Sequence, residues 1–118
     1  MSRALEPMPA AQVADAASVF AALGDETRLR IVTRLCRDGP QPIVRLTDGA
    51  RVTRQAVTKH LHALSDAGLV RGYRVGRQTV WELEPARLLE VRGYLDAISA
   101  QWDRALERLQ AFVEKPSL

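Results

Sequence analysis

The sequence predicts a mostly α-helical domain with one small β-hairpin. Three observations carry this: apolar residues recur at helical spacing along most of the chain, Gly and Pro interrupt those stretches at short intervals, and the spacing becomes that of a strand only between Leu69 and Leu83. The chain of 118 residues has room for one ordinary domain. With 47% hydrophobic and 26% charged residues, it has the composition of a chain that folds.

Met1 to Pro9 carries two prolines and no apolar pattern, so residues 1–9 are expected to form a flexible arm and residues 10–114 the folded domain. A first helix runs from about Ala11 to Leu23, with Val13, Ala16, Ala17, Phe20 and Leu23 as its stripe. Asp25 caps a second helix that reaches about Arg37, and Glu26 suits the positive end of its dipole. Its expected inner stripe is Leu29, Val32, Leu35 and Cys36, which leaves Arg28, Arg30 and Arg34 mostly solvated. After the stop at Asp38-Gly39-Pro40, Pro42 opens a short third helix, Ile43 to Asp48. Gly49-Ala50-Arg51 makes a tight turn, and Thr53 caps a fourth helix that ends where Gly68 follows Ala67.

A short helix, a Gly-containing turn and a longer helix form a helix-turn-helix. On the longer helix Val57, Leu61 and Leu64 point inward, while Arg54, Gln55, Thr58, Lys59 and His62 share the other face without an acid among them. A helix about 10 Å wide bearing such donors fits a major groove roughly 12 Å wide. Leu69 to Val75 and Gln78 to Leu83 then flank Gly76-Arg77, a two-residue turn with Gly first, and so form a two-stranded wing carrying Arg71, Arg74 and Arg77. Those arginines are placed to approach phosphates or a minor groove. With the helix that follows the wing, the fold class is a winged helix-turn-helix of five helices.

Charge agrees with this division. The protein carries a net +3, but residues 51–78 alone hold six bases against one acid, whereas residues 79–114 carry a net −3. A polyanion would therefore meet the middle of the chain first, and double-stranded DNA is the expected partner.

In the last stretch Pro85 opens a fifth helix. Leu88, Val91, Leu95, Ile98, Trp102, Ala105, Leu109 and Phe112 follow at alternating steps of three and four. So long a seam exceeds what a small domain covers by itself, so it and Phe20 are expected at a homodimer interface. A two-fold dimer would set two reading helices about 34 Å apart on an inverted repeat.

Two segments carry a family resemblance. Val19 to Val32, reading Val-Phe-Ala-Ala-Leu-Gly-Asp-Glu-Thr-Arg-Leu-Arg-Ile-Val, is similar to the opening of the ArsR (arsenic-repressor) family of bacterial winged-helix regulators. Val52-Thr-Arg-Gln-Ala-Val-Thr-Lys-His-Leu, continuing through Leu64 to Ala67-Gly-Leu-Val, resembles that family's recognition helix and its exit into the wing. The resemblance implies a dimeric DNA-binding repressor with Thr53, Arg54, Gln55, Thr58 and Lys59 at the groove. It also exposes departures. The family's Cys-x-Cys metal pair on the third helix is replaced by Pro42 and Val44, and no histidine follows His62, so neither family-type metal site is expected.

No catalytic residue, metal site or cofactor is expected, and the effector remains open. His60 and His62 lie on different faces of one helix, a poor arrangement for shared ligation. His60 is expected to pack or to touch phosphate, and His62 to face DNA or solvent. The single cysteine, Cys36, cannot form an intramolecular disulfide and reads as a small buried apolar residue. Two alternatives stand beside the repressor: a metal- or thiol-responsive repressor using Cys36, and a protein-interaction module built on a degenerate winged helix. An enzyme is disfavoured, because no Gly-rich phosphate loop and no carboxylate pair in an apolar context occur. No run approaches the roughly 18 apolar residues of a membrane span, and a cytoplasmic location is the corresponding expectation.

Overall fold

A computed structural model describes residues 8–49 and 51–114. Its elements are α1 (Ala10–Leu23), α2 (Glu26–Asp38), β1 (Gln41–Pro42), α3 (Ile43–Thr47), α4 (Arg54–Asp66), β2 (Val70–Val75), β3 (Gln78–Leu83) and α5 (Pro85–Glu114). The five helices fall where periodicity and punctuation set them. The expected arm lies mostly outside the described residues.

Local chemistry explains the boundaries. Asp25 accepts the backbone N–H of Arg28 at 3.1 Å, a side-chain cap that opens α2. Thr53 Oγ1 does the same for α4, accepting from the Ala56 N–H at 3.1 Å. At its far end α4 closes in a Schellman motif: Gly68 N–H donates to Ser65 O at 2.9 Å and Leu69 N–H to Leu64 O at 3.0 Å. Gly68 sits at φ +78°, where a side chain would be strained, and the next residue, Leu69, enters the core at 1% exposure.

The sheet has three strands in the order β1-β3-β2, all antiparallel, rather than the two expected. Gln41 pairs with Trp81 and Pro42 with Val80, so Pro42 ends a strand and caps α3 instead of occupying its first turn. A residue before proline is pushed toward extended backbone, which suits Gln41, but two residues are too few to display alternation. In the wing, Arg71 pairs with Glu82, Gly72 with Trp81 and Arg74 with Thr79. The Trp81 ring lies over Gly72 so closely that a Cβ there would come within 3.1 Å of it.

The core gathers Val19, Ile31, Leu35, Leu46, Val57, Leu61, Leu64, Leu69, Val70, Trp81 and Val91 from every helix and both long strands. Two inner stripes differ from expectation. On α1, Ala16, Val19 and Ala22 are buried, Phe20 and Leu23 half-buried, and Val13 and Ala17 exposed. On α2, Ile31 and Leu35 are buried, whereas Leu29 and Cys36 are exposed. Leu29, Ile31, Val32, Leu35 and Cys36 satisfy helical spacing on either of two overlapping faces, and the face turned inward carries the half-buried Arg28 toward α4. Cys36 is thus a surface thiol and not a packed apolar residue.

Candidate nucleic-acid interface

The helix-turn-helix is α3, the turn after it, and α4. Helix α4 divides cleanly: Val57, Leu61 and Leu64 are fully buried, while Arg54, Gln55, Lys59 and His62 are exposed on the opposite side. The side chains of Arg54, Gln55 and Lys59 make no hydrogen bond or ion pair with other described residues. They are therefore available to base edges and phosphates. Thr58 is half-buried, and its hydroxyl donates to the Arg54 carbonyl at 2.9 Å. Thr53 is exposed, but its hydroxyl oxygen already serves as the cap. Both threonines retain limited capacity for a further partner.

The two histidines have separate surroundings. His60 is half-buried, and its Nδ1 accepts from Arg28 Nε at 3.1 Å, with Asp25 Oδ2 3.7 Å away. This fastens α4 to the start of α2. The Asp25 carboxyl is held below the usual range, chiefly by the Arg28 N–H it caps. His62 meets the Trp81 ring edge-to-face, with centroids 5.9 Å apart, and so joins the outer face of α4 to the base of the wing.

Three wing arginines were expected to be open to phosphate. Arg74 and Arg77 are exposed and free of ion pairs with described residues. Arg71 instead lies 2.6 Å from Glu82 and 3.1 Å from Glu84. Its cross-strand neighbour Glu82 follows from the register of a two-residue hairpin, a signal present in the sequence.

The far end of α4 is anchored by one side chain. Arg87 Nε donates to the Ala67 carbonyl at 3.0 Å, and its two terminal nitrogens donate to Asp15 at 2.7 and 2.9 Å. The Tyr94 hydroxyl donates to the same carboxylate. The hydrogen bonds from Arg87 first, then Tyr94, lower Asp15 from about 3.8 to about 2, and the hydrogen bond to Asp15 in turn raises Tyr94. These contacts join residues 72 and 79 positions apart, which spacing along the chain does not reveal. Because folding lowers this pKa, the ion pair stabilises fully above about pH 3.8 and is lost as pH falls through about 2. Melting curves should show Asp15→Asn losing less stability than the parent between about pH 4 and pH 2. Parallel losses would remove Asp15 from the acid transition.

Of the residues expected at a dimer seam, Phe20 and Leu88 are half-buried and Val91 packs into the chain's own core. Leu95, Ile98, Trp102, Leu109 and Phe112 are exposed, Trp102 at 65% and Phe112 at 79%. Only Val91 and Tyr94 of the 30-residue α5 are buried.

This arrangement has close counterparts. Residues 23–73 match the helix-turn-helix domain family. An ArsR-like transcriptional regulator from Rhodococcus sp. RHA1 superposes with a TM-score of 0.71 at 40% identity, over 90% of this chain and 99% of that one. The chain belongs to the ArsR family. Among other ArsR-type relatives, the HTH-type transcriptional regulator NmtR of Mycobacterium tuberculosis is 37% identical over 82 residues, 70% of this chain and 68% of that protein. The HTH-type transcriptional repressor SmtB of the same species is 31% identical over 99 residues, covering 83% and 71% respectively. ArsR membership makes this chain a winged-helix DNA-binding transcription regulator. No described helix is long and apolar enough to cross a membrane.

Proposed function

We propose that this chain is a sequence-specific transcriptional repressor that binds an inverted repeat as a homodimer and lacks a family-type metal site. The observation that carries it is the division of α4, whose inner face is fully buried while Arg54, Gln55 and Lys59 stand unpartnered on the outer face. Arg54 and Gln55 select bases from the first turn, Lys59 reaches phosphate, and Arg74 and Arg77 extend the phosphate contacts onto the wing.

Dimerisation is supported by the exposed row from Leu95 to Phe112, together with Val13 on the outer side of α1. Helices from two subunits packing there bury what one chain leaves in water. The repressor reading draws on the relative named as a repressor, and occupancy of an operator overlapping a promoter accounts for it by excluding polymerase. Pro42 and Val44, where the resemblance places a cysteine pair, support regulation by a signal other than metal at that site.

The test is binding to duplexes selected from a random pool, compared with random duplex. Arg54→Ala and Gln55→Ala should each weaken selected-site binding by about 1 to 3 kcal/mol and leave random-duplex binding unchanged. Equal losses on both would show that these residues do not read bases.

A further inference from the structure

A cleft of about 770 Å³ opens between the outer face of α2 and the turn joining α3 to α4, within the size range of small-molecule sites. Its apolar wall includes Leu29, which is 52% exposed, and Val52. Four cations, Arg30, Arg34, Arg37 and Arg51, line it as well, against two acids, Glu26 and Asp48. Arg30 is paired with Glu26 and Arg37 with Asp38, a carboxylate that Arg34 shares at the longer distance of 3.9 Å. Arg51 makes no ion pair with a described residue. Arg34 has a buried Nε without a hydrogen-bond partner, its nearest carboxylate oxygen being 3.9 Å away on Asp38. Its Nη1 donates to the Asp48 carbonyl at 3.1 Å and so holds the turn that leads into α4.

An apolar wall beside two incompletely matched cations suits a ligand with an apolar body and one anionic head. Inorganic phosphate would satisfy the arginines but leave Leu29 wet, and a neutral apolar molecule would leave Arg51 without a counter-charge and the Arg34 Nε without an acceptor. We infer that this cleft binds a small amphiphilic carboxylate, and that the bound carboxylate draws Arg34 from Asp48 and loosens the turn before α4. The site stands on the cleft itself, whereas its effect on DNA rests on the function proposed above.

The experiment records amide ¹H–¹⁵N spectra of the full chain with decanoate, with decanol and with acetate, and measures duplex binding with and without decanoate. Decanoate should shift the amides of Leu29, Thr33, Gly49 and Val52 and leave those of α5 in place. Decanol and acetate at the same concentration should not. Leu29→Glu, at an exposed position, and Arg34→Gln should each abolish the shifts while the remaining spectrum stays folded. Duplex affinity should fall roughly fivefold or more when the cleft is filled. Shifts confined to α5, or equal shifts with decanol, overturn the site. Cleft shifts with unchanged duplex affinity overturn the control of DNA binding. Failure of the ligand-free protein to bind any duplex would sink the DNA reading alone, leaving the site to be judged on its amide shifts.

Discussion

Trp102→Ala should raise the dissociation constant of the proposed dimer by roughly 10³- to 10⁴-fold, as read by sedimentation equilibrium. Two-fold symmetry means that one substitution removes two indole rings, and a buried aromatic anchor at an interface contributes about 2 to 3 kcal/mol per copy. Trp102 is 65% exposed in the single chain, so its loss leaves the protomer's own core intact. The melting profile of the monomeric species should therefore remain cooperative. Binding to an inverted repeat should fall together with dimerisation, because a monomer places only one α4 on the duplex. An unchanged dissociation constant would move the interface away from the outer half of α5.

Leu61→Ala should produce the largest loss of stability, about 2 to 5 kcal/mol, from lost burial and a residual cavity. Leu61 is fully buried beneath the reading face of α4, next to Val57 and Leu64 in the same inner row. Against a total stability of about 5 to 15 kcal/mol, the expected fall in melting temperature is roughly 10 °C or more. Duplex binding should recover on cooling with its sequence preference intact, since no outward side chain has changed. A melting temperature within about 2 °C of the parent would mean that the site repacks and that Leu61 does not carry the junction of α4 with the core.

The readability of the sequence follows the range of the interactions. Caps act over three residues, so Asp25 and Thr53 announce their helices, and the hairpin shows itself through Gly76-Arg77 and the flanking β-formers. The division of α4 is equally plain, because three apolar and three unpartnered polar residues alternate at one helical period. The face of α2 is not plain, since its apolar residues allow two neighbouring stripes. The face turned inward packs Ile31 and Leu35 against distant core residues and brings Arg28 to His60, 32 positions away. The two-residue β1 exists only because β3 pairs with it. Arg87 is similarly silent in sequence, since its partners are a carbonyl on one helix and a carboxylate on another.

Arg71 has a consequence opposite to that of its neighbours on the wing. Arg74 and Arg77 present charge outward, whereas Arg71 spends its charge on Glu82 and Glu84. Without that guanidinium, two carboxylates near the base of the wing would confront an approaching polyanion. If the wing meets DNA as proposed above, Arg71 would act as a screen, its value lying in the repulsion it conceals rather than in any phosphate it grips.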